Sequence, residues 1–197
     1  MTKVGFVRHG TTLWNKEGRA QGSSDVPLDA QGRQEAEKVA ERLCTDHWDV
    51  IYTSDLSRAN DTAEAIARAM GGMDLHRDKR LRERDCGQIE GMNEAERTAT
   101  WGYNWRSLDL GQETAESMVE RGMSFLNEVS ATHEGDHILI VSHGTFIKQL
   151  LTHLSPEIDA QTLLGNTSVS CIASGENGWT LELLNCTKHL EPMQSES

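Results

Sequence analysis

The stretches VGFVRHGTT (Val4–Thr12) and ILIVSHGTF (Ile138–Phe146) decide the fold of this chain. In each, a short apolar run leads directly into a histidine, a glycine and a threonine. Apolar runs of this kind predict two buried β-strands, with His9 and His143 just past their ends. In an open parallel sheet the loops after the strands gather at one edge, so we expect the two imidazoles to share one crevice.

Outward from these two strands, helical and extended patterns alternate along the chain. The spacing of apolar residues predicts helices over Ala30–Leu43, Ser54–Met70, Thr114–Ser130 and Thr145–Leu154, and strands over Val50–Thr53, Val169–Ala173 and Trp179–Leu184. This alternation predicts an α/β fold, a three-layer α/β/α sandwich with a mostly parallel central sheet and an antiparallel edge strand. The least periodic stretch, residues 90–113, is interpreted as an excursion off the sheet.

Composition excludes several classes of function. The 197 residues predict a single domain over residues 1–190 and a short tail over 191–197. A net charge of −12 without any lysine or arginine run argues against nucleic acid or a membrane surface as partner, and no apolar run reaches membrane-spanning length. Four cysteines without a C-x-x-C pair favour reduced thiols and a cytoplasmic location. The oligomeric state is not predicted.

Two arginines indicate what the shared crevice binds. Arg8 precedes His9, and Arg58 falls in the first turn of the helix after the second strand. Two guanidiniums, two imidazoles and a helix N-terminus at one edge form an anion site, and the fork of arginine suits phosphate or carboxylate. The histidines follow neither an H-x-H nor an H-E-x-x-H pattern, and the chain lacks the glycine-rich nucleotide-binding motifs, so we expect neither metal nor cofactor. Which histidine reacts remains open from these residues.

Seven motifs together resemble the histidine phosphatase superfamily, also called the phosphoglycerate mutase-like family. They are RHGTTLWN (8–15), QGSSDVPLDAQGRQEA (21–36), SDLSRANDTAE (54–64), LRERDCGQIEG (81–91), GQETAES (111–117), VSHGT (141–145) and GNTSVS (165–170). Their order and spacing match across nearly the whole chain, with the small bacterial phosphatases as the nearer branch.

The resemblance implies a role for individual residues. By this similarity His9 is the nucleophile and becomes a phosphohistidine, and Glu83 is the proton donor. Three further residues, Arg8, Arg58 and His143, are implied to hold the phosphoryl oxygens. The implied substrate-binding residues are Asn15, Gln21, Gly22 and Gly144. The implied activity is hydrolysis of small phosphomonoesters, without a cofactor.

Two alternatives stay open beside the phosphatase. A phosphoglycerate mutase is the first, although only some 22 residues separate Glu90 from Glu113, too few for a long lid, and no basic cluster stands out among them. A module that binds phosphorylated ligands without turnover is the second, but all five implied catalytic residues are present. Trp101, Tyr103 and Trp105 either line a leaving-group pocket or cover the core.

Overall fold

The computed structural model describes residues 1–159, 161–176 and 178–191. Its strands are β1 (Lys3–Arg8), β2 (Val50–Thr53), β3 (Leu75–Arg77), β4 (His137–Ser142), β5 (Val169–Gly175) and β6 (Gly178–Cys186). Its α-helices are α1 (Leu13–Lys16), α2 (Ala30–Leu43), α3 (Ser57–Ala69), α4 (Glu94–Trp101), α5 (Ala115–Thr132) and α6 (Gly144–Leu154). Residues 192–197, most of the predicted tail, lie outside the described residues, and the domain boundary at residue 190 stays a prediction.

The six strands form one sheet in the order β3-β2-β4-β1-β5-β6. Strands β3, β2, β4 and β1 are parallel, and β1 and β4 pair from Lys3 opposite His137 to Arg8 opposite Ser142. The next residue on each strand is a histidine, and the amide of His9 donates to the carbonyl of Ser142 at 2.9 Å. The register therefore delivers His9 and His143 to one level at one edge.

Helices cover both faces of the sheet. On one face the buried side chains of α5 and α6, such as Phe125 and Phe146, pack against Phe6 and Ile140. On the other face α2 and α3 pack against β-strand residues that point the opposite way, such as Val7. Successive residues of β1 and β4 thus enter opposite cores, as a central parallel sheet requires. The predicted three-layer α/β fold is confirmed.

The structure differs from the predicted elements at several points, and two of its helices, α1 and α4, were not predicted. Helix α3 begins at Ser57 rather than Ser54, because the amide of Ser54 still donates to Val141 of β4 at 3.0 Å. The short edge strand β3 was not predicted, since its three residues carry too little pattern. The antiparallel strand is β5, which lies between β1 and β6 rather than at the edge.

Candidate active site

His9 lies at the end of β1 and is almost fully buried. Its ring Nδ1 lies 2.7 Å from the carbonyl oxygen of Gly10, so Nδ1 carries the proton and donates it to this carbonyl. The lone pair is then on Nε2. Burial, together with the charges of Arg58 and Arg8, lowers the pKa of His9 well below its ordinary value of 6.5. His9 is therefore a neutral imidazole with a free Nε2, which is the form a nucleophile requires.

The backbone around His9 is held by residues that the sequence analysis did not single out. The carbonyl of His9 accepts hydrogen bonds from the side-chain amide of Asn166 at 3.0 Å and from the backbone of Thr167 at 3.3 Å. Thr167 has a φ of 52°, a conformation that is uncommon for a β-branched residue. The amide of Gly10 donates to the hydroxyl of Thr62 at 3.1 Å. The motif GNTSVS, which contains Asn166 and Thr167, was noticed in the sequence, but its contact with the His9 carbonyl could not be predicted from it.

The ring of His143 lies edge-on to the ring of His9, with 5.2 Å between the two ring centroids. Its Nε2 lies 2.8 Å from the hydroxyl of Ser54, which also accepts from the amide of Leu56 at 3.3 Å. The proton of the Ser54 hydroxyl has no other acceptor among the described residues, so it is donated to Nε2; the proton of His143 then sits on Nδ1, a buried atom without a partner in the same residues. Burial and the Arg58 charge lower the pKa of His143 well below 6.5.

Arg8 and Arg58 are held by backbone carbonyls rather than by carboxylates. Arg8 donates to Leu164 at 2.5 Å, and Arg58 donates to Ser24 at 2.7 Å and Gly22 at 2.9 Å. Within the described residues neither guanidinium forms an ion pair, and the Nε of each is buried without an acceptor. Burial lowers the pKa of Arg58 to about 10. Buried cations without counter-charges mark a site that an anion completes.

Glu83 reaches the same crevice from the segment after β3. Its carboxylate accepts from the backbone amides of Thr145 and Phe146, in the first turn of α6, at 3.1 Å each. The amide of Arg84 donates to it as well, at 2.8 Å. A carboxylate in this position is fixed by the N-terminus of α6, beside the two arginines. It can exchange a proton with a group bound between them.

The carboxamides of Asn15 and Gln21 point the same way because Thr12 binds both of their oxygens. The backbone amide of Thr12 donates to Asn15 Oδ1 at 3.0 Å, and the hydroxyl of Thr12 donates to Gln21 Oε1 at 3.0 Å. The NH₂ group of each carboxamide is the end that remains to donate to a ligand. Gly22 has a φ of +50°, and a Cβ there would overlap the carboxylate of Glu90. Glycine therefore allows the turn whose carbonyl holds Arg58.

These residues surround a cavity of about 360 Å³. Its lining consists of Arg8, His9, Asn15, Arg19, Ala20, Gln21, Gly22, Arg58, Glu83, Arg84, Cys86, Ile89, Arg97, Trp105, Arg106 and Thr145. Gly144 instead lines a neighbouring cavity of about 260 Å³, where a Cβ would crowd the Arg8 guanidinium. His143 lines neither of these two cavities, but its ring lies edge-on to that of His9, which lines the larger one.

The cavity corrects two expectations from the sequence. Residues 90–113 do contribute basic groups, because Arg97 and Arg106 meet Arg19 and Arg84 in the wall. The sequence did not show this, since these arginines lie far apart along the chain. Of the three aromatic residues in this segment, Trp105 is buried and lines the cavity, whereas Tyr103 is 91% exposed and does neither of the two things expected of it.

No group of three or more histidine, cysteine, aspartate or glutamate side chains that could hold a metal ion occurs in the described ranges. Over the same part of the chain no helix combines the length and apolar character needed to cross a bilayer. All four cysteines are free thiols.

Comparison with known proteins gives consistent matches over the chain. The family model of the histidine phosphatase superfamily (branch 1) matches residues 4–187. The uncharacterized phosphatase PhoE of Bacillus subtilis is 37% identical over 193 residues, which cover 96% of this chain and 97% of PhoE. The probable phosphoglycerate mutase GpmB of an Enterobacter strain is 37% identical over 208 residues, covering 97% of this chain and 96% of GpmB.

A solved structure supports the same assignment. Phosphoserine phosphatase from Entamoeba histolytica, in complex with 3-phosphoglyceric acid, is 30% identical and has a TM-score of 0.83. The match covers 97% of this chain and all of that structure. With the family model, it confirms the resemblance predicted from the motifs. The chain is a phosphatase that belongs to the histidine phosphatase superfamily.

Proposed function

We propose that this protein hydrolyses small phosphomonoesters through a phosphohistidine on His9. The observation that carries the proposal is a neutral His9, with its Nε2 lone pair free, beside two buried guanidiniums that lack carboxylate partners. A phosphate dianion between Arg8 and Arg58 supplies the missing negative charge. It also places phosphorus within reach of the nucleophile.

In the first step Nε2 of His9 attacks phosphorus, and the P–N bond forms as the ester P–O bond breaks. Negative charge spreads over the three equatorial oxygens, where Arg8, Arg58 and the Nδ1–H of His143 donate hydrogen bonds. Glu83, which enters this step as the carboxylic acid, gives its proton to the leaving oxygen. The products are an alcohol, a phosphohistidine and the Glu83 carboxylate.

The second step returns the enzyme to its starting state. The Glu83 carboxylate accepts a proton from a water molecule, and the water oxygen attacks phosphorus. The P–N bond breaks, its electron pair returns to Nε2, and inorganic phosphate leaves. Glu83 then holds the proton that the next leaving group needs. The NH₂ groups of Asn15 and Gln21 hold the phosphoryl group in place during both steps.

Small phosphorylated metabolites are the proposed substrates, and the cytoplasm is the proposed location. A cavity of about 360 Å³ lies within the range of small-molecule sites. The similar Entamoeba protein is named for phosphoserine and was solved with 3-phosphoglyceric acid. The four free thiols are the observation that favours a reducing compartment.

The first experiment measures phosphate release from p-nitrophenyl phosphate and from a panel of natural phosphomonoesters. We expect His9→Ala to abolish turnover, and mass spectrometry to detect an acid-labile phosphate on His9 of the wild type. His153→Ala is the matched control, because His153 is exposed near the end of α6. Turnover that persists in His9→Ala would refute the proposed nucleophile.

A mutase is the second candidate, favoured by the similarity to a probable phosphoglycerate mutase and by the additional arginines of the cavity. The two reactions differ only in the acceptor of the phosphoryl group, which is water in a phosphatase and a hydroxyl of the substrate in a mutase. With 3-phosphoglycerate and a trace of 2,3-bisphosphoglycerate, a phosphatase releases phosphate. A mutase forms the 2-isomer without net release, and that outcome would replace the phosphatase.

A further inference from the structure

The segment that carries Glu83 has no secondary structure of its own. It lies between two turns of 3₁₀ helix, Lys79–Leu81 and Gly87–Ile89, and residues 82–86 belong to no helix or strand. The peptide groups of such a segment need hydrogen-bond partners from elsewhere in the protein. The position of the Glu83 carboxyl therefore depends on what holds this backbone.

One side chain of α5, Arg121, holds three carbonyls of this segment. Its Nη1 donates to the carbonyls of Arg80 at 2.6 Å and Arg82 at 2.8 Å, and its Nη2 donates to the carbonyl of Glu83 at 3.3 Å. The same guanidinium lies over the ring of Phe146, 4.6 Å from the centroid. Phe146 is one of the two residues whose amides donate to the Glu83 carboxylate. Arg121 thus contacts both the backbone of Glu83 and the helix end that binds its carboxylate.

Glu113 holds Arg121 and the same segment together. Its carboxylate accepts from Nε of Arg121 at 2.8 Å and from Nη2 at 2.9 Å, and its amide donates to the carbonyl of Asp85 at 2.9 Å. The two side chains, which we call the clamp, are 19% and 15% exposed. The five N–H groups of Arg121 thus meet five acceptors, a set that neither lysine nor glutamine can satisfy. Neither residue of the clamp lines the cavity at His9.

We propose that Arg121, held by Glu113, is a positioning residue for proton transfer by Glu83. It fixes the backbone around Glu83 relative to the start of α6. The inference rests on the proposed function, in which Glu83 gives its proton to the leaving oxygen. A general acid acts only within hydrogen-bond reach of that oxygen. Loss of the clamp should therefore slow the substrates that need the proton and spare those that do not.

A matched pair of substrates tests the clamp. p-Nitrophenyl phosphate releases a stabilised anion that needs little protonation, whereas p-nitrobenzyl phosphate, larger by one methylene group, releases an alkoxide that needs a proton. The ratio of kcat/KM for the first to kcat/KM for the second reports the phosphorylation step, because both give the same phosphohistidine. In Arg121→Gln we expect this ratio to rise by about tenfold to a hundredfold. An unchanged ratio would overturn the inference.

Two further variants separate positioning from charge and from stability. Arg121→Lys keeps the charge but loses the fork, so its ratio should lie between those of the wild type and Arg121→Gln; a wild-type ratio would contradict the clamp. Arg80→Gln is the matched control, because Arg80 ties the same segment to α5 through its own side chain, which pairs with Glu128 at 2.8 Å. It should keep the wild-type ratio even if urea unfolding shows an equal loss of stability. A ratio that rises as much as in Arg121→Gln would assign the effect to stability and refute the clamp.

A measurement without substrate separates this inference from the proposed reaction. The amide of Thr145 donates to the Glu83 carboxylate at 3.1 Å, so its NMR resonance reports the position of that carboxylate. In Arg121→Gln we expect this resonance to move towards its position in Glu83→Gln, whether or not the protein releases phosphate. An unmoved resonance refutes the clamp even if the wild type is an active phosphatase. If the substrate ratio does not rise in Glu83→Gln, the proposed proton donor fails, and the Thr145 resonance still decides the clamp.

Discussion

At the scale of single residues, the two histidines that follow the paired strands both carry their proton on Nδ1. They differ in which ring nitrogen is already hydrogen-bonded. The Gly10 carbonyl accepts a hydrogen bond from the Nδ1–H of His9 and leaves the Nε2 lone pair free, whereas the Ser54 hydroxyl donates to Nε2 of His143 and leaves its Nδ1–H free. One ring can therefore attack phosphorus while the other donates to its oxygen. In the proposed reaction, this difference gives the two strand-to-histidine turns separate roles.

Ser54 is therefore predicted to act as a positioning residue for His143. In Ser54→Ala the proton of His143 is no longer confined to Nδ1, and one donor to the transition state is lost for part of the molecules. We expect kcat to fall by about tenfold to a hundredfold, below the loss for a full oxyanion donor. Nitrogen-15 NMR of the histidine rings should show the change of tautomer.

Ser54→Thr keeps the hydroxyl and is the control for this prediction. It should retain the wild-type tautomer and most of the activity, whereas a merely structural role would make both variants lose activity in proportion to their stability. An unchanged His143 spectrum in Ser54→Ala would contradict the prediction.

At the scale of elements, the start of α2 packs directly against the loop that carries His9. Asp29 caps the helix by accepting from the amide of Gly32 at 2.8 Å, and its own amide donates to Thr11 at 3.0 Å. A Cβ at Gly32 would overlap the carbonyl of Thr11, and one at Gly10 would overlap the carbonyl of Gly32. Two glycines thus allow the helix and the loop to touch backbone to backbone.

Gly32→Ala tests this contact because the two physical effects have opposite signs. Helix propensity alone predicts stabilisation by about 1 kcal/mol, whereas the overlap with a backbone atom predicts a loss of about 1–3 kcal/mol. We expect the loss to prevail in urea unfolding, and kcat to fall because the loop positions His9. Gln34→Ala, at an exposed position of the same helix, is the control. A stabilised Gly32→Ala would contradict the proposed contact.

Elements with strong local patterns could be predicted from the sequence, and those set by distant contacts could not. Helix α2 was predicted at its observed bounds because its apolar spacing and the Asp29 cap are local. The start of α3 was wrong because Ser54 is bound to β4, which lies some 90 residues away in sequence. The basic wall was missed for the same reason, since Arg84 and Arg97 meet only after residues 83–113 fold against the sheet.

At the scale of the whole molecule, the site depends on buried histidines that stay neutral. Burial and neighbouring arginines lower the pKa values of His9 and His143 well below 6.5. Burial, with the nearby Arg42, lowers the pKa of His189 to about 4, and this ring also contacts the hydroxyl of Thr167 at 3.1 Å. All three histidines are ordinary imidazoles in the unfolded chain.

Acid should therefore destabilise the fold before its carboxylates titrate. Below about pH 6.5 the unfolded chain binds more protons than the folded one, so the free energy of unfolding falls as the pH is lowered. Each histidine contributes a slope of up to about 1.4 kcal/mol per pH unit, which persists down to its own folded pKa. Urea unfolding at pH 7.5, 6.5 and 5.5 measures this slope.

His189→Gln removes one of three such groups, so its slope between pH 6.5 and 5.5 should be about two thirds of the wild-type slope. A free energy of unfolding that is constant over this range would mean that His9 and His143 take up protons at the same pH in the folded protein as in the unfolded chain, and the lowered pKa of the two rings would then be refuted.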